Sequence, residues 1–306
     1  MREYTLLVLA AGMGHRYGGL KQIDALGAHG ETIIDYSIYD ALQAGFSKII
    51  FVIRKEIEAD FCEVVLNKYK GKIAVDYVFQ AVDAIPLCFC VPKDRNKPWG
   101  TGHAVLAAKD KIDGFFAVIN GDDFYGRNSF KILIDYLNTL SLDNSKDCAM
   151  VAYLLENTLS AHGSVSRGVC EVNQARFLTK VTEHTKLSRQ NGQIVNENVD
   201  GTTQIMNPQT PVSMNFWGFH PQIFTHLERL FDQFLKDNID DGKSEFYIPF
   251  AVDDLLKSQT IQVKVLETDS QWYGVTYQED RKIVAERFRQ MEGDYWKNYE
   301  LQIMNF

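Results

Sequence analysis

Arg16 and Lys21 stand inside a cluster of glycines, LAAGMGHRYGGLK over residues 9–21, with Gly12, Gly14, Gly18 and Gly19 around them. Glycines accept unusual dihedrals and let backbone N–H groups come close to a ligand. A guanidinium adds a planar fork of donors suited to phosphate oxygens, and an ammonium adds a mobile point charge. Together these residue types predict a polyphosphate held on a turn. Two other glycine signatures fit less well. A Walker A loop needs Ser or Thr after its lysine, and Gln22 follows Lys21. A dinucleotide fingerprint needs its third glycine at position 17, which is Tyr17, and RKEIEAD after the second strand offers no clean ribose-binding acid. The remaining alternative is a tight turn with solvated cations; two cations in one turn weigh against it.

The elements around this turn fit that use. TLLVLA (5–10) is a short apolar run suited to a strand buried on both faces. TIIDYSIYDALQAGF follows as a helix, with Thr32 and Asp35 spaced as a capping box and Gly45 placed to end it. KIIFVI (48–53) reads as a second buried strand, and IAVDYVF (73–79) and FFAVIN (115–120) as a third and a fourth strand. FCEVVLNKYK and TGHAVLAAKDKI (101–112) read as helices between them. Alternating strand and helix implies a parallel sheet with right-handed crossovers, and ligands then sit at the carboxyl ends of the strands.

From about residue 127 the texture changes. A helix (SFKILIDYLNTL) precedes strand-like AMVAYLL, and GVCEVNQARFLTKVTEH reads as a hairpin turning near Asn173-Gln174. Residues 186–211 are polar and read as a loop. PVSMNFWGF (211–219) and IQVKVLE (261–267) read as strands, with a helix after Pro221 and a closing helix at EDRKIVAERFRQME. The expected fold class is α/β: a Rossmann-like, mainly parallel sheet flanked by helices, with a smaller mixed β part for a substrate. One domain over 1–306 is expected, divided into a nucleotide-binding half (1–126) and a substrate half (127–306).

Net charge is −8, with 32 Lys+Arg against 40 Asp+Glu and no dense basic run, which argues against a nucleic-acid partner. No apolar stretch approaches the ~20 residues needed to span a bilayer, and the apolar part of MREYTLLVLAAG is too short for a signal peptide. No membrane contact and a cytoplasmic location are therefore expected. The five cysteines are odd in number, lack zinc spacing and are read as reduced, mostly buried thiols. His103, His162 and His220 share no metal spacing.

LAAGMGHRYGGLK resembles the L-A-A-G-x-G-x-R-(x)n-K signature of the nucleotidyltransferase superfamily, which includes sugar-1-phosphate nucleotidyltransferases and methylerythritol-phosphate cytidylyltransferase. The order of later motifs supports the resemblance: Gln80 after the third strand, WGTGHAV (99–105) opening a helix, and NGDDFYG (120–126) after the fourth strand. The match covers about residues 5–126 and continues more faintly through VTEH (181–184), NFWGF (215–219) and WYGVTYQED (272–280).

The resemblance implies a role for each matching residue. Ala10, Ala11, Gly12 and Gly14 belong to the loop that wraps the triphosphate of an NTP. Arg16 matches the arginine that neutralises the departing pyrophosphate, and Lys21 the lysine near the α-phosphate and the incoming phosphate. Gln80 and Gly102, with Gly100 and Thr101 beside them, match base-contacting positions; a polar strand end and a helix-start glycine are the plainer readings. Asp122 matches the aspartate that ligates Mg²⁺, with Asp123 as competitor and an ordinary polar turn as the plain alternative. Glu183 matches a glutamate that contacts sugar hydroxyls, although His184 stands where a lysine commonly follows, with Lys186 as a substitute. A second metal-binding Asp is expected in a late W-x-D-x-G-T motif; here the chain reads Trp272-Tyr273-Gly274-Val275-Thr276, so Asn215 or Asp269 is left to serve.

The reaction implied is attack by a sugar 1-phosphate on the α-phosphorus of an NTP, giving NDP-sugar and pyrophosphate, with Mg²⁺ as cofactor. The alternatives are a cytidylyltransferase for methylerythritol phosphate or phosphocholine, a non-catalytic nucleotide- or NDP-sugar-binding regulator, and a nicotinamide-dependent oxidoreductase that the glycine register disfavours. The base, the sugar and the oligomeric state, homo-oligomer included, stay open at this point.

Overall fold

The structure, a computed structural model, is described over residues 2–12, 24–27, 29–143, 146–160, 162–198, 200–274 and 279–295. Three largely buried apolar runs form the strands β1 (Thr5–Leu9), β2 (Lys48–Ile53) and β4 (Phe116–Asn120), and the half-exposed β3 (Ala74–Phe79) forms the edge. They pair in parallel in the order β3-β2-β1-β4. The helix Ile33–Ala44 between β1 and β2 starts and stops where its sequence dictates. Thr32 and Asp35 form the capping box, and Gly45 ends the helix at φ 109°, a left-handed conformation that costs glycine little. Its Ile34, Ile38 and Ala41 pack into the core on one side of the sheet. Helical turns over 58–69 include a π-type segment, Cys62–Leu66. The helix predicted over 101–112 is regular only over Thr101–Leu106 and ends in a short 3₁₀ turn, Lys109–Lys111.

The second half continues the same sheet with the opposite sense. After the short β5 (Asp123–Phe124) come the helix Arg127–Leu137 and strands β6 (Asp147–Leu154), β7 (Val165–Val172), β8 (Leu178–Gln190), β9 (Gln193–Glu197), β10 (Thr203–Met206) and β11 (Pro211–Phe219). β11 is antiparallel to β4, β6 and β7, and β7-β8-β9-β10 continue as an antiparallel meander. β12 (Gln262–Glu267) adds to β6 in parallel, and β13 (Tyr273–Gly274) pairs with β5. The sheet is thus mixed rather than mainly parallel. The mixed β part expected for a substrate is continuous with the parallel strands in one eleven-stranded sheet. The segment 186–211 is a correction of the same kind: it contains the end of β8, all of β9 and β10, and not a plain loop. These strands carry polar residues on their exposed face, so no apolar run announced them.

Helices Ile223–Asn238 and Ile248–Lys257 cover the other face, where Trp99, Trp217, Phe224 and Phe231 are buried in a second core cluster. The final helix, Asp280–Tyr295, stacks Phe288 on Tyr36 at 4.0 Å between ring centres. Cys148 and Cys170 are buried, Cys62 is intermediate, and Cys88 and Cys90 are exposed, against the expectation of mostly buried thiols. Among the described residues no helix is long and apolar enough to cross a membrane.

Candidate active site

Leu9 and Asn120 are register partners at the carboxyl ends of β1 and β4, so the chain leaves both strands side by side. Ala10, Ala11 and Gly12 depart from one end and Gly121, Asp122 and Asp123 from the other. The Gly121 N–H donates to Leu9 O at 2.8 Å, and a Cβ at Gly121 would lie 3.1 Å from that of Ala10. The acidic turn therefore lies against the start of the glycine loop. Ala10 N–H donates to Val52 O at 2.8 Å, and Arg54 Nε donates to Ala11 O at 3.0 Å. Gly14, Arg16 and Lys21 lie outside the described residues. Beyond them Asp24 receives a two-point ion pair from Arg281 of the final helix, Nε–Oδ2 2.7 Å and Nη2–Oδ1 3.1 Å, and Arg281 also donates to Ala25 O at 3.0 Å.

A cleft of about 550 Å³ opens beside the acidic turn. Four predicted site residues line it together: Thr101, Asp122, Glu183 and Asn215. Thr101 holds its place because its hydroxyl accepts the Ile248 N–H at 3.1 Å, which ties two helix starts together. Asn215 reaches the cleft through an irregularity in β11. The pairing with β6 shifts between Ser213 and Trp217, and Asn215 takes φ 62°. That left-handed conformation is uncommon outside glycine but best tolerated by Asn and Asp, and a bulge of this kind re-aims a side chain. Its amide donates to Asn120 Oδ1 at 2.7 Å and accepts Trp217 Nε1–H at 2.9 Å, so both ends of the amide are engaged.

Asp123, weighed only as a competitor from sequence, is the best-supported residue of the turn. It is 8% exposed and accepts from Asn120 Nδ2 at 2.8 Å. The Tyr125 hydroxyl accepts Asn120 N–H at 3.0 Å and lies 2.9 Å from Met214 O and 3.3 Å from Asp123 Oδ2. Burial, and then the charge of Asp122 beside it, push the Asp123 carboxyl upward. A cation in the cleft would relieve that repulsion. The late WYG segment does reach the turn: Gly274 pairs with Asp123, and a Cβ on Gly274 would lie 2.8 Å from Asp123 Oδ1 and 2.3 Å from the Trp272 ring. Asp269 does not line the cleft; it is exposed and accepts from Asn128 Nδ2 at 3.1 Å.

The floor is a cross-strand row. Glu183 of β8 pairs with Gly168 of β7, which pairs with Ser213 of β11. Gly168 lacks a side chain where a Cβ would stand 3.0 Å from Val181 Cγ1 and 3.7 Å from Glu183 Oε2, so the row stays open between Glu183 and Ser213. Glu183 shows an exposed face to the cleft while the surrounding protein raises its carboxyl above the usual range and Arg167 draws it back. Arg167 and Trp272 form one wall. Trp272 opens the late WYG segment but had no role of its own in the sequence reading; no motif marked Arg167, whose only signal was a charge beside a glycine inside a strand.

Gln80, Gly100 and Gly102 are brought together elsewhere. Gln80 is buried, donates from Nε2 to Gly100 O at 2.8 Å, and lines a neighbouring hollow of about 560 Å³ with Arg54 and Lys55 at the ends of β2 and β3. Gly100 (φ 96°) and Gly102 lie against Phe246: added Cβ atoms would stand 2.7 Å from its carbonyl oxygen and 2.6 Å from its ring. Close packing thus already accounts for both glycines. His103 is likewise structural. Its Nε2 lies 2.8 Å from Ala84 O, its ring stacks on Phe231, and burial lowers its pKa.

A family model described as Nucleotidyl transferase matches residues 6–205. The bifunctional protein GlmU of Methanococcus maripaludis is 27% identical over 141 residues, 45% of this chain and 29% of that protein. The UTP–glucose-1-phosphate uridylyltransferase AglF of Haloferax volcanii is 22% identical over 287 residues, 93% of this chain and 96% of that one. The solved inositol-1-phosphate CTP transferase of T. maritima superposes with TM-score 0.60 at 14% identity, covering 94% of this chain and 96% of that chain.

Proposed function

This chain belongs to the nucleotidyl transferase family, and from that premise we propose that it transfers a nucleotidyl group from an NTP to a sugar 1-phosphate, releasing pyrophosphate. Nucleotidyl transfer to a phosphate-bearing acceptor follows from the family; the sugar is the finer reading. One observation carries it. Asp122, Glu183 and Asn215, distant in sequence, line a single cleft at the carboxyl ends of β1 and β4, beside the first residues of the glycine loop.

The acceptor phosphate is already anionic near neutral pH, so no general base is required. The difficulty is to bring two anions together. Arg16 and Lys21 would supply positive charge to the triphosphate. Ala10, Ala11 and Gly12 lead toward them in sequence. The carboxylates of the acidic turn suit Mg²⁺, which prefers one or two carboxylates with phosphate oxygens and water. Among the described residues no group of three or more His, Cys, Asp or Glu is placed to hold a metal ion by itself. Asp122 and Asp123 would hold the ion, and when bound it offsets the triphosphate charge. Glu183 and Ser213 on the floor present acceptors and a hydroxyl to sugar hydroxyl groups, with Gly168 giving the ring its space.

Pyrophosphate release tests the proposal: the protein is incubated with each NTP, Mg²⁺ and a panel of sugar 1-phosphates. Pyrophosphate formation that depends on both substrates is the expected result. Tight NDP-sugar binding with no pyrophosphate from any pair would overturn it.

A further inference from the structure

Past the glycine loop the chain is gripped by an element from the other end of the sequence. Arg281, in the first turn of the final helix, donates from Nε to Asp24 Oδ2 at 2.7 Å, and from Nη2 to Asp24 Oδ1 at 3.1 Å and to Ala25 O at 3.0 Å. Three of the five N–H groups of one guanidinium thus meet two consecutive residues. A fork of this kind fixes a carboxylate in direction as well as distance, which an ammonium does not. The chain then turns tightly into its first helix: Ala25 bridges Thr32, and the Leu26 and Gly27 N–H groups both donate to Glu31 O. On the near side of the loop, Ala10 N–H donates to Val52 O and Arg54 Nε donates to Ala11 O. Each stem of the segment that contains Arg16 and Lys21 is therefore held by an arginine from another element.

Docking of the final helix does not depend on this grip. Val284 and Phe288 are buried, Phe288 stacks on Tyr36, and Tyr295 donates its hydroxyl to Asp40. Asp280, just before Arg281, is buried and accepts Ser160 Oγ–H at 3.0 Å, so the turn that carries the guanidinium is itself anchored. The Arg281 and Asp24 side chains are 43% and 24% exposed, where an ion pair adds little to stability. What the fork does set is the place of a residue three positions after Lys21. Resting on the reading of the glycine loop as the seat of the triphosphate, we propose that Arg281 is a positioning residue for nucleotide binding. Through Asp24 and Ala25 it fixes the far stem of the loop, and with it the place from which Lys21 meets the phosphates. Charge alone predicts the opposite effect of Asp24. A carboxylate so near Lys21 repels a triphosphate, so its removal would tighten binding. Loss of the grip loosens binding instead, because misplacing a binding group outweighs one solvent-screened charge.

Calorimetric titration with each NTP and Mg²⁺ tests this without any turnover. Asp24→Ala and Arg281→Lys should each weaken binding of the preferred NTP by about tenfold or more, the scale on which misplacement of a positioned group is felt. The melting temperature without ligand should stay within about 4 °C of the wild type. The double variant should bind no more weakly than the worse single one, since either change opens the same grip. In pyrophosphate release the loss should fall on KM for the NTP and leave KM for the sugar 1-phosphate in place. Equal or tighter NTP binding by Asp24→Ala, or wild-type affinity in Arg281→Lys, overturns the proposal, because charge is then the whole effect of the pair. Weaker binding that only follows a larger fall in melting temperature assigns Arg281 to stability and overturns it as well. No pyrophosphate from any acceptor, with the calorimetric pattern intact, removes the transfer reaction and leaves this inference standing. A wild type that binds no NTP removes both.

Discussion

Replacing Asp40 with asparagine should make the stability difference from the wild type grow as pH rises. Asp40 sits fully buried on the helix Ile33–Ala44, where Tyr295 donates its hydroxyl to Oδ2 at 2.9 Å and Arg127 Nε lies 3.4 Å from Oδ1. Burial lifts its carboxyl from the usual 3.8 to about 7, more than the Tyr295 and Arg127 contacts can lower it. The folded protein therefore holds a proton that the unfolded chain releases at lower pH. Stability from this residue is fully present below about pH 4 and falls as pH climbs toward and past 7, because the unfolded state is then the better proton loser. At 1.36 kcal/mol per pH unit, the span from 3.8 to about 7 corresponds to about 4 kcal/mol above pH 8. Asparagine keeps an oxygen for Tyr295 and carries no charge, so it escapes this loss. Urea unfolding of both proteins at pH 5 and pH 8.5 reads the difference directly. Near pH 5 most of the decline still lies ahead and the two should be closer; at pH 8.5 the variant should gain by several kcal/mol. A difference that stays flat between the two pH values, or that turns against the variant at high pH, would mean that Asp40 is ionised in the folded state and stabilised by Arg127, contrary to this account.

Three further outcomes follow from the site. Lys21→Ala should lower turnover on the order of 10²-fold with little change in circular dichroism, as for other preorganised charge contacts; unchanged turnover in a pyrophosphate assay removes Lys21 from its role. Asp122→Asn should abolish the rise in melting temperature that NTP with Mg²⁺ produces while leaving the unliganded melt within a few degrees; an undiminished Mg²⁺-dependent rise moves the ion elsewhere. Gly168→Val should fill the floor between Glu183 and Ser213, raising KM for the acceptor far more than KM for NTP and costing about 1–3 kcal/mol from its crowding on Val181; equal effects on both substrates would show that the floor does not hold the acceptor.

Local signals carried most of the first half. Continuous apolar runs marked β1, β2 and β4, because strands buried on both faces have no polar side to interrupt them, while β3, half-exposed at the edge, carries Asp76 within its run. Thr32, Asp35 and Gly45 marked their helix by hydrogen-bonding chemistry confined to a few residues. The second half was legible only where a core face repeats. β9 and β10 were read as loop because much of their surface meets water, and the helix Ile248–Lys257 was overlooked. Within the cleft, Asp122, Glu183 and Asn215 were found through motifs. Arg167 was not, and Trp272 was noted only as the start of the WYG segment, since their pairing depends on a fold that brings residues far apart in sequence into contact. Asp269 was named for its nearness to the WYG segment along the chain, but the segment turns toward Asp123 and leaves Asp269 outside.

The seam between β4 and β11 has a mechanical consequence. Trp217, Gly218 and Phe219 are laddered to Val118, Ala117 and Phe116, and beyond the irregularity at Asn215 the same strand pairs with β7, so one strand joins the sheet beneath the glycine loop to the floor of the cleft. Enzymes that engulf two reactants by swinging lobes need a flexible joint, and a strand shared by both halves of one sheet supplies none there. Any closure around bound reactants is therefore expected to be local to the rim of the cleft and not a movement of one half against the other. Small-angle scattering should accordingly record the same radius of gyration before and after both reactants are added.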